Sequence, residues 1–196
     1  AIDESQAGLC FGRIDIVPAA IDNSQGEAEA TRYIGRMGLL DTHHDCTPVL
    51  VDWRAPLARP YYLATTARPE GVWRRRTIHS LGQNLTSLSD EFLTHGETPA
   101  GYPDPHNTTE GVASESALLQ ALNAPRSDYM TDIVATIQRE QDEIIRCEHR
   151  GVVVVEGGPG TGKTAVALHR AAYLLYTFRT VLEHSGVLII GPNDTF

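Results

Sequence analysis

Over the first hundred residues the apolar positions come in short runs, most of them bounded by Gly, Pro, Asn or Asp. Leu9–Val17, Arg32–Leu40, Pro48–Trp53, Tyr61–Thr66 and Val72–His79 have this form. Runs of this length and flanking predict β-strands. No helical pattern intervenes between them, which predicts an antiparallel meander rather than a βαβ arrangement. One short helix is predicted over Ser87–Leu93, with Ser89 or Asp90 near its start.

The pattern then changes. His95 to Val112 is rich in Gly, Pro, Thr and Asn and predicts an exposed linker. Ser114–Leu122 has helical spacing and should stop near Asn123-Ala124, because Pro125 disfavours a helical residue before it. Asp128–Arg146 predicts one long amphipathic helix or two joined ones. Met130, Ile133, Val134, Ile137, Ile144 and Ile145 share a face there. Gly151–Glu156 holds four successive valines, as in a strand buried on both faces of a parallel sheet. Gly162–Phe178 is apolar nearly all round and predicts a buried helix, and Gly186–Ile190 predicts a second buried strand. The last third therefore reads as one βαβ unit. The domain layout expected is a β-rich part over 1–94, a linker over 95–112 and an α/β part over 113–196.

Composition narrows the class. The 196 residues are 41% hydrophobic and 21% charged, which suits a globular chain and excludes a wholly disordered one. No apolar run is long enough for a membrane span, and no secretion signal opens the chain, so a cytoplasmic location without a membrane partner is expected. The absence of an initiator Met predicts a start inside a longer protein. Three separated cysteines, Cys10, Cys46 and Cys147, give no disulfide framework. A net charge of −9 argues against a broad nucleic-acid-binding face. Among 16 Lys plus Arg there is a single lysine, Lys163. One ammonium kept in an otherwise Arg-only chain marks a place where a compact point charge is needed.

That lysine closes the loop Gly157-Gly158-Pro159-Gly160-Thr161-Gly162-Lys163-Thr164, which fits G-x-x-x-x-G-K-[ST] throughout. Glycines let successive backbone N–H groups face an anion. A helix beginning at Gly162 adds its unpaired N–H groups and dipole. Lys163 is expected to reach the β- and γ-phosphates of ATP and is the candidate catalytic residue. Thr164 is expected to ligate Mg²⁺, a hard cation that prefers oxygen. Upstream, Gln141 interrupts an apolar helix face. It is either a boundary amide, solvated or bonded to backbone, or a reader of an adenine edge.

Ile137-Gln138-Arg139-Glu140-Gln141, the loop, and Thr164 to Leu174 together resemble motifs Q and I of superfamily 1 helicases of the UvrD/Rep type. The resemblance implies a RecA-like P-loop domain and favours Gln141 as the adenine reader. Gly8–Arg13, Tyr33–Gly38, Val51-Asp52-Trp53-Arg54-Ala55-Pro56 and Asp132–Ile137 are similar to one branch, the HelD family. HelD proteins are helicase-like ATPases that bind bacterial RNA polymerase and release it from stalled or inactive nucleic-acid complexes. The resemblance implies the same here, with DNA as a further partner of the whole protein. It also implies that Walker B acids, arginine fingers and a second RecA-like domain lie beyond Phe196, and a coiled coil before Ala1. The expectation for the chain alone is ATP binding with essentially no hydrolysis. The alternatives are a UvrD/Rep-type DNA translocase acting in repair and a non-catalytic polymerase-binding module switched by nucleotide.

Three further clusters invite chemistry. Trp53-Arg54 reads as a strand-end aromatic with an arginine along it, against a packing site for a partner. Trp73-Arg74-Arg75-Arg76 reads as ion-paired or solvated arginines, because alternate residues of a strand face opposite ways. His43-His44-Asp45-Cys46 has metal-ligand composition, but neighbours in sequence rarely converge on one ion, so a loop is expected.

Overall fold

The computed structural model describes residues 8–17, 31–43, 46–81, 84–94, 134–148 and 150–191. Six strands form one sheet: β1 (Cys10–Ile16), β2 (Thr31–Gly35), β3 (Leu39–Asp41), β4 (Thr47–Asp52), β5 (Val72–Leu81) and β6 (Asn84–Phe92). Their spatial order is β3-β4-β2-β1-β5-β6. Central β1 is antiparallel to both β2 and β5, and it carries the buried Phe11, Ile14 and Ile16. The predicted run Arg32–Leu40 is split: Arg36, Met37 and Gly38 leave the sheet, and β3 returns as an edge strand antiparallel to β4. That detour brings β4 back alongside β2 in parallel, Ile34 opposite Val51. The sheet is therefore mixed, and the expected all-antiparallel meander is corrected at this one pairing.

Two local predictions are overturned. Tyr61–Thr66 is not a strand. A 3₁₀ turn over Pro56–Ala58 leads into α1 (Arg59–Leu63), with Pro56 and Pro60 each at the first helical positions of their turns. Proline's fixed φ suits that place. Tyr61, Tyr62, Leu63 and Ala64 are all buried in succession, which an alternating strand on a one-sided sheet does not allow. Ser87–Leu93 is not a helix either. It belongs mostly to β6, paired along its length with β5, Asp90 opposite Arg76 and Glu91 opposite Arg75. Cross-strand ion pairs override the weak helical pattern. Arg76 bonds Asp90 at 2.6 Å, and Arg75 bonds Glu91 at 2.9 Å. Arg74 bonds Asp15 at 2.6 Å. Each arginine of the basic cluster thus has a carboxylate partner inside the sheet.

Asp15 is the buried knot of this part. Its carboxylate accepts from Arg13 Nε at 2.9 Å, Thr31 Oγ1 at 2.8 Å and Arg74 Nε at 2.6 Å, tying β1 to β2 and β5. Burial works to raise its pKa, but these hydrogen bonds and the Arg74 charge prevail and hold it below the usual carboxylate range. Tyr61 packs edge-on to Phe11 and to Tyr62, and the Tyr62 hydroxyl donates to the carbonyl of Val134 at 3.1 Å. Trp53 is buried with Arg54 at 6.0 Å from its ring, and Arg54 forks onto Asp52. This is the strand-end aromatic with its arginine.

The chain divides into two compact units, Ala1–Gln138 and Arg139–Phe196. In the second, α2 (Arg139–Arg146) precedes the Gly-rich loop, α3 (Lys163–Thr177) follows it, and a short α4 (Arg179–Leu182) closes the helical part. Of the one long helix or two joined helices predicted over Asp128–Arg146, the described residues show a 3₁₀ turn at Val134–Thr136, two non-helical residues and then α2. The parallel sheet predicted from Gly151–Glu156 and Gly186–Ile190 is not formed among the described residues. Both segments are irregular, and Val152 and Leu188 are 91% and 85% exposed. A strand exists only through a ladder partner, and neither segment has one there. Helix α3 correspondingly buries only Ala165 and Val166, so it is not the fully buried helix expected. The predicted linker over 95–112 and the helix Ser114–Leu122 lie outside the described residues.

Candidate nucleotide site

The Gly-rich loop turns into α3 through two glycines. Gly160 and Gly162 have φ of 78° and 82°, in the left-handed region where a side chain is strained. Gly162 caps α3 with no side-chain bond of its own, and the first intrahelical bond runs from Val166 N to Gly162 O at 2.9 Å. The first turn of α3 carries no acidic residue, so its backbone N–H groups and dipole are uncompensated by side-chain charge.

The loop is folded tightly upon itself. Thr161 Oγ1 donates to Gly158 O at 2.9 Å. A β-carbon at Gly157 would fall 2.7 Å from that same Thr161 oxygen. Lys163 Nζ donates to Gly157 O at 2.8 Å and to Gly158 O at 2.6 Å. The chain's one ammonium therefore lies along the inner edge of the loop. Pro159 and Gly160 form the exposed tip, and Thr164 sits part-buried in the first turn of α3.

Gln141 lies in the first turn of α2, and its side-chain Nε2 is 3.1 Å from where a β-carbon on Gly162 would stand. Two residues 21 positions apart in sequence are thus adjacent at the base of the loop. Any other residue at 162 would be strained by the φ and would push the Gln141 amide back by a few tenths of an ångström. Every residue singled out from the loop sequence, from Gly157 to Thr164, and Gln141 with them, falls in this one cluster.

Sequence reasoning missed what holds α2 in place. Arg170 Nη1 donates to the carbonyls of Ile144, Ile145 and Cys147 at 3.0, 3.1 and 3.0 Å, and Nη2 to that of Glu148 at 2.9 Å. Arg146 pairs with the buried Asp142 at 2.8 Å and lies 5.3 Å over the ring of Tyr173. Arg170 is a charged position on an otherwise apolar stretch, seven residues after Lys163. That spacing puts both on one side of α3 and was the available signal.

Among the described residues no group of three or more His, Cys, Asp or Glu could hold a metal ion. His44 and Asp45 lie outside them, while His43 N bonds Asp41 in a turn. No described helix is long and apolar enough to cross a membrane.

Two family models match the chain. Residues 1–106 match that of the N-terminal domain of DNA helicase IV HelD, and residues 137–190 match that of the UvrD/REP helicase N-terminal domain. No curated protein matches. The first match spans more than half of the sequence and the second encloses Gln141, the Gly-rich loop and Arg170. The chain belongs to the HelD family of UvrD/REP-type helicases.

Proposed function

We propose that this chain is the ATP-binding part of a helicase-like motor ATPase that binds bacterial RNA polymerase and recycles it from stalled or inactive nucleic-acid complexes. In this reading a β-rich part over 1–94 joins, through 95–112, a RecA-like P-loop part over 113–196. The observation that carries the nucleotide assignment is the meeting of Gln141 with the Gly162 turn, beside the loop that holds Lys163. Its chemistry fits a Mg²⁺-triphosphate: two positive-φ glycines, one ammonium, and the Thr164 hydroxyl in the first turn of a helix.

Within the chain, each residue has a task. The backbone N–H groups of Gly158 to Lys163 (Pro159, which has none, excepted) receive phosphate oxygens. Lys163 exchanges the carbonyls of Gly157 and Gly158 for the β- and γ-phosphates. Thr164 orients its hydroxyl toward the cation, which neutralises phosphate charge when bound. Gln141 offers one donor and one acceptor to the adenine edge. In the whole protein, closure and opening around nucleotide would drive the parts that grip polymerase.

The polymerase part of the proposal is supported by the HelD match over 1–106. Co-migration of the full-length parent with core RNA polymerase on a sizing column, with and without Mg-ATP, tests it. A stable complex is expected, and free migration in both conditions would contradict it. The UvrD/REP match over 137–190 favours a second reading, a DNA translocase. Strand separation by the intact protein without any polymerase complex would select that reading.

A further inference from the structure

We propose that Arg170 is a positioning residue that sets the base preference of the nucleotide site by fixing where Gln141 stands. The inference rests on the nucleotide reading given above. Helix α2 has only eight residues, Arg139–Arg146, too few to hold a helix by itself in water. Its last carbonyls have no intrahelical donors. One guanidinium supplies two of them: Arg170 reaches the carbonyls of Ile144 and Ile145 in the last turn, and those of Cys147 and Glu148 just past it. The positive charge also complements the negative end of the helix dipole.

The other end of α2 is where Gln141 meets Gly162. Gln141 is one turn before Ile144 and Ile145, so the helix links the capped carbonyls rigidly to the amide. Arg170 in turn lies two turns after Lys163 on α3. A single helix therefore carries both the phosphate-side lysine and the residue that fixes the adenine-side glutamine. The Arg146–Asp142 pair within α2, and Arg146 over the ring of Tyr173, are contacts of α2 that do not involve the Arg170 side chain.

Base preference is the property most exposed to this arrangement. Adenine presents a donor beside an acceptor, and guanine presents two acceptors on the same edge. A glutamine held in one place distinguishes them, and one free to shift does not, because hydrogen bonds weaken steeply with misalignment. Triphosphate affinity comes from the loop and Lys163, which Arg170 does not touch in any described contact.

The test measures binding of fluorescent ATP and GTP analogues to the 196-residue chain in Mg²⁺. Wild type should prefer ATP. Arg170→Met, which keeps bulk and loses the donors, should weaken ATP binding about tenfold, on the order of one net hydrogen bond. It should leave GTP binding within about twofold on the same reasoning. Arg170→Lys should restore part of the preference, since an ammonium reaches fewer carbonyls at once. If the Met variant does not fold, by its melting curve, the Lys variant carries the same comparison with a smaller shift in the ratio. Equal losses for both nucleotides, or no loss for either, would overturn the positioning role while leaving the nucleotide site intact. A wild type that binds neither nucleotide, or binds them as well after Lys163→Ala, would instead remove the nucleotide reading itself, and this inference with it.

Discussion

The side-chain amide nitrogen of Gln141 stands 3.1 Å from the place a β-carbon on Gly162 would occupy. That proximity joins the helix before the Gly-rich loop to the helix after it. It also makes Gly162 a doubly constrained position, by its φ of 82° and by its neighbour. A Gly162→Ala substitution should therefore cost about 1–2 kcal/mol in backbone strain and displace the glutamine. The expected result is weaker ATP binding together with a reduced ATP-over-GTP ratio, read by fluorescent-nucleotide titration. An unchanged ratio would dissociate Gln141 from the base.

Gln141→Ala is the cleaner separation of base from phosphate. It should lower ATP affinity about tenfold, the scale of one or two lost hydrogen bonds, and bring ATP and GTP close together. The thermal midpoint should stay near that of wild type, because Gln141 is only part-buried. The same titration and a melting curve check both statements.

In the β-rich unit, Gly12 on β1 faces the ring of Tyr61. A β-carbon there would fall 2.4 Å from Tyr61 Cε2. The ring is buried and packs edge-on to both Phe11 and Tyr62. Gly12→Ala should destabilise the unit by about 1–3 kcal/mol, as overpacking does. Urea titration measures it. A neutral effect would show that α1 moves freely against the sheet.

Asp15 predicts a pH dependence. Its folded pKa lies below the ordinary value, through hydrogen bonds from Arg13, Arg74 and Thr31 that outweigh burial. Its contribution is therefore complete above the unfolded value of about 3.9. It is lost as pH falls through the lowered folded value. Asp15→Asn should flatten the acid limb of the stability curve in that window. At neutral pH, Asp15→Ala leaves Arg74, itself 8% exposed, with only the longer 3.9 Å pairing to Asp90, and should cost about 3 kcal/mol. Urea midpoints at neutral and acid pH check both.

The parts of this molecule legible in its sequence are those where one residue type has one physical use. The glycines at 160 and 162 and the lone lysine mark the loop in the sequence itself, and the strands at Cys10–Ile16 and Thr47–Asp52 follow from their apolar runs. The misses have a common cause, which is partner choice. Ser87–Leu93 is a strand because Arg75 and Arg76 lie opposite Glu91 and Asp90, a fact about another strand. Tyr61–Leu63 is helical because Pro60 suits a first helical turn and four consecutive residues, Tyr61 to Ala64, are buried. The valines of Gly151–Glu156 have strand composition, but composition does not supply a ladder partner. Arg170 carries one faint signal, its seven-residue spacing from Lys163, but its partners are backbone carbonyls, which no residue type marks.

The central claim is that the loop from Gly157 to Thr164 binds a triphosphate through Lys163. Its most direct test is equilibrium binding of Mg-ATP to the purified chain, beside Lys163→Ala. The ammonium's known contacts are to two exposed loop carbonyls, Gly157 O and Gly158 O. Its removal should therefore leave the melting curve nearly unchanged. Saturable binding by wild type, weakened about a hundredfold or more in the variant as expected for a lost charge-assisted contact, is the predicted result. No saturable binding by wild type, or equal binding by both proteins, would contradict the account.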